Sequence, residues 1–263
     1  MKLEAFKEKL GPEWTKLFSS FITSPDMDKI YERLRKDSAN NKICPESANT
    51  FNTFKLIKPK DVRCIIIGQE PYAGEDYKTK ILQATGIALD CSASPNFKLQ
   101  PSLKYFLEGI AKEYSLDNSD YLTASLQHLT EQGVLLMNRS MTVLKNKIGS
   151  HLGVWDDFMK HFFENVMREY PNVPIIILGK EAEYIKRWVF EMTHPIFILT
   201  HPSFAARIGS DWETNGVFEK VNKYIQEHHG REKIINWSYK MWDKKKIRRN
   251  SQISRRHRYA ILN

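Results

Sequence analysis

Four apolar runs rich in β-branched residues, each emptying abruptly into polar ones, constrain this chain more than any other feature. The first, Val62-Arg63-Cys64-Ile65-Ile66-Ile67-Gly68, passes into Gln69-Glu70-Pro71-Tyr72-Ala73. Gly133-Val134-Leu135-Leu136-Met137 ends at Asn138, Pro174-Ile175-Ile176-Ile177-Leu178 at Gly179-Lys180, and Ile196-Phe197-Ile198-Leu199-Thr200 at His201-Pro202-Ser203. Unbroken apolar runs of this length suit strands covered on both faces, as in a parallel sheet. Helical patterns separate them. Pro101-Ser102 opens a helix with Leu103, Phe106, Leu107 and Ile110 on one face; Trp155, Phe158, Met159, Phe162, Phe163 and Val166 trace a second. Glu181-Ala182-Glu183-Tyr184-Ile185 begins a third, and 217–225 forms a fourth. The alternation predicts an α/β fold: a central four-stranded parallel sheet flanked by helices on both faces, with right-handed crossovers.

The 263 residues, 41% of them hydrophobic, suffice for one large core. We expect a single domain over 1–237. Its first 60 residues read as helices, with Leu3-Phe6-Leu10, Trp14-Leu17-Phe18-Phe21 and Met27-Ile30-Tyr31-Leu34 at helical spacing. Gly86-Ile87-Ala88-Leu89 reads as a short apolar segment returning beside the first strand, and Tyr77-Lys78-Thr79-Lys80-Ile81 as a polar, mobile loop. Ile234-Ile235-Asn236-Trp237 closes the core. Residues 238–263 form a basic tail: nine lysines and arginines against Asp243 alone, which places +8 of the formal net charge of +9 there. Such a tail binds phosphates without regard to sequence, through counterion release. No run approaches the roughly 18 apolar residues of a membrane span, and the amino terminus lacks a signal peptide's apolar block. The expectation is a soluble intracellular protein, cytoplasmic or nuclear. Cys44, Cys64 and Cys91 are odd in number and lack a CxxC spacing, so they read as reduced thiols rather than as a disulfide framework or zinc site.

Open α/β sheets bind ligands beyond the carboxyl ends of their strands. By that rule Gln69, Glu70 and Tyr72, then Asn138, then Gly179 and Lys180, then His201 and Ser203 share one edge. Pro71 halts the strand and holds Glu70 on a stiff corner. A carboxylate, an imidazole, two carboxamides and a phenol suit hydrolysis in which the carboxylate activates water while neutral groups hold a heterocycle. Neither GxGxxG after a strand, nor GxxxxGK[ST], nor GxSxG occurs, which argues against nucleotide cofactors, P-loop chemistry and a nucleophile elbow. His228, His229 and His257 lack partners at metal-ligand spacing, so neither metal nor cofactor is expected.

Gly68-Gln69-Glu70-Pro71-Tyr72, followed by Leu135-Leu136-Met137-Asn138-Arg139-Ser140-Met141-Thr142-Val143 and by His201-Pro202-Ser203, resembles the uracil-DNA glycosylase superfamily, family 1 most of all. Between them Gly86-Ile87-Ala88-Leu89, Pro101-Ser102-Leu103, Ser150-His151, Trp155 and Leu178-Gly179 keep the family's order, and Ile235-Asn236-Trp237 closes it. The resemblance implies an enzyme that flips a nucleotide from DNA and hydrolyses its N-glycosidic bond. By the same resemblance, Glu70 stands where the family's water-activating aspartate would be and His201 donates to the departing base. Gln69 walls the base pocket, Tyr72 crowds the pyrimidine C5 edge, Leu89 replaces the phenylalanine that stacks on the base, and Asn138 reads its Watson–Crick edge. Pro101, Ser102, Gly179, Lys180 and Ser203 match loops that grip phosphates. In the loop that follows Ser203, Phe204, Ala205 and Arg207 fall where the family carries an intercalating leucine.

This chain departs from the family's G-Q-D-P-Y-H at two places, Glu70 and Ala73. One added methylene moves the carboxylate on the order of an ångström, a displacement worth about 10²-fold in rate. Together with Leu89, these changes reshape the base pocket. The substrate expected is therefore uracil or a bulkier pyrimidine, hydroxymethylated or glucosylated as in some phage DNA, with Tyr72 opposing C5 substituents. The expected partner is DNA, bound by a monomer. A second reading, from a different class, is a non-catalytic DNA-binding or replication-accessory protein that retains the fold with a decayed site.

Overall fold

The computed structural model describes residues 2–93, 99–117 and 123–239. Each apolar run becomes a strand: β2 (Cys64–Gly68), β3 (Val134–Asn138), β5 (Ile175–Leu178) and β6 (Ile196–Leu199). All pair in parallel, in the order β3-β2-β5-β6, as expected. Register is tight, with Ile66 opposite both Leu136 and Ile176. The period of two then sorts side chains between two cores. Ile65, Ile67, Leu135, Met137, Ile175 and Ile177 face the amino-terminal helices and the 156–169 segment. Cys64, Ile66, Leu136, Ile176 and Leu178 face the helices Pro101–Glu113 and Val217–His229. Both faces are covered, so neither could tolerate polar alternation. Only β6, at the sheet edge, leaves a large apolar side chain exposed, Ile198 at 43%.

The amino-terminal helices include Lys2–Leu10, Pro12–Leu17 and Pro25–Ser38. They pack onto the sheet through an aromatic cluster in which Phe18 stacks on Phe158 with ring centroids 4.8 Å apart. The segment holding Phe158 begins as an α-helix, Asp156–His161, and widens into a π-turn at Phe162–Val166. A two-residue antiparallel pair, β1 (Ile43–Cys44) with β4 (Val143–Leu144), lies apart from the main sheet.

Two local expectations need correction. The 86–89 segment is no strand; Ala88 N–H donates one bond to Leu136 O of β3 (3.1 Å), and Leu89 adopts φ +65°, which breaks an extended run. The 77–81 loop is a built turn, because Asp76 Oδ1 accepts from the N–H of Lys78 and Thr79 and from the Thr79 hydroxyl. As expected, Ile234-Ile235-Asn236-Trp237 closes the core, through Ile235 and Trp237 buried in coil. The expected basic tail lies, from residue 240 onward, outside the described residues.

Candidate active site

Parallel strands end at a common edge, and there the loops after β2, β3, β5 and β6 enclose a cleft of about 1100 Å³. Its lining includes Gln69, Glu70, Tyr72, Leu89, Pro101, Ser102, Asn138, Gly179, Lys180, His201, Ser203, Phe204 and Arg207. Ala205 is the exception. It is buried at 3% and packs into the core beneath helix Pro202–Ile208, leaving Ala206 to face the cleft. One residue's rotation on a helix separates the two positions.

Beyond β2 the pairing with β3 continues for two more bonds, from Arg139 N–H to Gly68 O (2.9 Å) and from Ser140 N–H to Gln69 O (3.0 Å). This fixes the backbone that delivers Glu70. The Glu70 carboxylate accepts from Gly149 N–H at 3.0 and 2.9 Å to its two oxygens, and from Gln69 Nε2 at 3.2 Å. Burial raises its pKa above the ordinary glutamate value, opposed by those two donors, while the Glu181 charge adds to the rise.

Tyr72 donates its hydroxyl proton to Leu89 O at 3.0 Å. The Ser102 hydroxyl, 2.9 Å away, must therefore be the donor in its bond to the phenol oxygen. Tyr72 thus ties the first loop to both the 86–89 segment and the start of helix Pro101–Glu113. Asn138 fits for a steric reason: a Cβ on Gly68 would lie 2.5 Å from its Oδ1. Its carboxamide lines the cleft and makes no hydrogen bond to another described residue.

Gly179, at φ +87°, plays the same part for His201, since a Cβ there would come within 2.8 Å of the histidine Cβ. His201 Nδ1 accepts from Ser203 N–H (3.2 Å) and lies 2.8 Å from Ser203 Oγ. With Nδ1 an acceptor, the ring proton resides on Nε2. Burial first, then the Arg207 charge, depress the imidazole to about 4, so it is neutral at physiological pH. Phe204 is 48% exposed at the cleft rim with the Arg207 guanidinium 5.9 Å from its ring centroid.

Several residues that line the cleft or hold those that do carried no signal of it in the sequence. Gly149 lies 79 residues from Glu70 and meets it only through a main-chain N–H, which no motif of side chains reports. Glu181 reads as an ordinary helix start, yet it lines the cleft and acts on Glu70. Arg139, next to Asn138, is buried; it pairs bidentately with Asp156 (3.0 Å for each bond) and donates to Glu181 O (2.9 Å), locking the β3 end to the turn after β5. Among the described residues no group of three or more His, Cys, Asp or Glu side chains could hold a metal ion, and no helix is long and apolar enough to cross a membrane. The three cysteines are free and buried.

Fold and cleft together define an α/β protein whose cleft, at the carboxyl edge of a parallel sheet, is lined by a half-buried carboxylate and a neutral histidine. The model of the uracil DNA glycosylase superfamily matches residues 54–226. Curated uracil-DNA glycosylases from Azotobacter vinelandii and Pseudomonas syringae pv. syringae are 29% and 28% identical over 223 residues, covering 84% of this chain and 91% and 92% of theirs. Among solved structures, mimivirus uracil-DNA glycosylase superposes with a TM-score of 0.73 at 18% identity, over 87% of each chain. A mimivirus UNG variant in complex with UGI reaches 0.78 at 19% identity, over 90% of this chain and 91% of that one. The chain belongs to the uracil DNA glycosylase superfamily.

Proposed function

We propose that this protein is a monofunctional DNA glycosylase that extrudes a pyrimidine nucleotide and hydrolyses its N-glycosidic bond, leaving an abasic site. The observation that carries the reading is the pairing, in one cleft, of the half-buried Glu70 carboxylate with a His201 whose proton sits on Nε2. Glu70 orients a water against C1′ and accepts its proton as the C1′–N1 bond breaks. The electron pair of that bond leaves on the base, where the Nε2–H of neutral His201 donates to the anionic O2. Opposite partial charges are then stabilised on the two sides of the breaking bond by groups already in position. The free carboxamide of Asn138 suits the Watson–Crick edge, and Leu89 offers the base an apolar face. Lys180 and the turns at Pro101-Ser102 and Ser203 suit the flanking phosphates, and Phe204 suits the gap left in the stack.

The substrate of this reading is uracil or a pyrimidine with a larger C5 substituent, hydroxymethyl or glucosyl. Ala73 and the breadth of the cleft support the larger bases, while Tyr72, tied on both sides, supports uracil. Oligonucleotides containing uracil, hydroxymethyl-pyrimidines or glucosylated cytosine, treated with the protein and then alkali, separate these. Strand breaks confined to uracil end the larger-base reading. DNA binding with no excision of any base would favour an accessory role over catalysis. The protein acts as a monomer on DNA, and the nine basic residues after Trp237 add phosphate contacts. Truncation after residue 237 is expected to weaken DNA binding and flatten its salt dependence.

A further inference from the structure

A glutamate arm has one more rotatable bond than an aspartate, so its carboxylate is harder to place unless something holds it. Here the holder is distant in sequence. Gly149 N–H bridges both Glu70 oxygens at 3.0 and 2.9 Å, and Gln69 Nε2 adds a bond to Oε1 at 3.2 Å. Gly149 has φ +79°, and a Cβ there would meet nothing nearer than Leu152 Cδ1 at 3.6 Å, so glycine serves the backbone direction rather than the space.

The segment around it is fixed on several sides. Leu144 N–H donates to Ser150 Oγ (2.8 Å), Asn146 N–H to Ala73 O (2.9 Å), and Lys145 pairs with Glu75 at 2.7 Å. Its carboxyl end is anchored by His151, fully buried, with Nδ1 2.8 Å from Thr142 Oγ1 and Nε2 3.2 Å from Asp37 Oδ2. The Asp37 carboxylate can only accept, so the His151 proton sits on Nε2; Nδ1 of the neutral ring then accepts from the Thr142 hydroxyl, whose oxygen accepts from Trp155 Nε1–H.

We propose that segment 144–151 is the positioning device for the Glu70 carboxylate, with the Gly149 main-chain N–H setting where its oxygens stand and the Asp37–His151 pair holding the segment in place. Its kinetic consequences rest on the glycosylase reading; the hydrogen bond itself does not.

Two measurements test it. In an ¹⁵N–¹H spectrum of the full chain, the Gly149 amide proton of the parent resonates downfield, and Glu70→Asp, whose arm falls short, moves it upfield; an unmoved Gly149 resonance overturns the proposal. In single-turnover assays on the base that the parent excises, Glu70→Asp and Gly149→Ala each lower the rate about 10²-fold. Combined, they lower it less than about threefold beyond either alone, because each removes the same contact. Independent multiplication of the two effects, or a Glu70→Asp enzyme as fast as the parent, overturns it. Should Gly149→Ala fail to fold by thermal melting, Asp37→Asn, on the outer helix, takes its place: kcat falls several-fold, KM stays within about twofold, and the Gly149 resonance shifts. A parent that excises no base defeats the glycosylase reading, and the Gly149 resonance then decides the positioning contact alone.

Discussion

In the proposed reaction Glu70 must be ionised to take a proton, and its partly desolvated setting raises its pKa above the ordinary glutamate value. The excision rate is therefore expected to fall on acidification with a midpoint above that of an ordinary glutamate. Glu181→Gln removes a neighbouring negative charge and should move that midpoint to lower pH, which a pH–rate profile of the two proteins checks. Replacing Glu70 by Gln keeps the shape and removes the base; the expected loss is about 10²- to 10⁴-fold in rate with DNA binding retained. His201, neutral down to about 4, should contribute no limb near 6.5. Glu70, Asn138 and His201 were legible in the sequence because each directly follows a buried run, where the strand-end rule applies. Gly149 was not, because its contribution is a backbone N–H whose direction depends on a left-handed turn formed only by tertiary packing.

Arg139 joins two elements at the rear of the cleft. Its side chain, 7% exposed, is held by Asp156 and by Glu181 and stacks on the Tyr184 ring, 3.9 Å from the centroid. Asp156→Ala leaves a buried guanidinium without its bidentate partner, an expected cost of about 3 kcal/mol in urea unfolding. The same variant should weaken base recognition, since Asn138 precedes Arg139 at the end of β3. At this scale the sequence spoke unevenly. The strands were readable because both faces are covered, so their apolar runs are continuous. The β1–β4 pair is two residues long and has no period to detect. The 86–89 segment is as apolar as a short strand, and the left-handed Leu89 that disqualifies it follows from where Tyr72 draws its carbonyl.

Across the whole molecule, the two cores on either side of the sheet are bound by large aromatic side chains, and the amino-terminal helices depend on one of them. Phe158 touches Phe18, Phe21, Phe51, Phe54 and Trp155. Phe158→Ala is expected to cost about 3–5 kcal/mol, measured by denaturant unfolding, because five rings cannot all collapse into the space. Acid stability has a separate origin. Buried His128 and half-buried His201 are neutral, each depressed to about 4 first by desolvation, whereas an unfolded histidine binds a proton near 6.5. The unfolded chain thus holds more protons between those values, so stability is expected to decline as pH falls from about 6.5 toward about 4. Thermal melts across that interval check the sign.

The missing side chain at Gly68 has a further consequence. Its backbone is not left-handed, so alanine there imposes no torsional penalty; the only objection is a methyl group lodged against the Asn138 amide. A single carbon added at this strand end would push the Asn138 carboxamide aside. On the proposed reading, Gly68→Ala is expected to narrow the difference in excision rate between one pyrimidine and another, which single-turnover assays on paired oligonucleotides check.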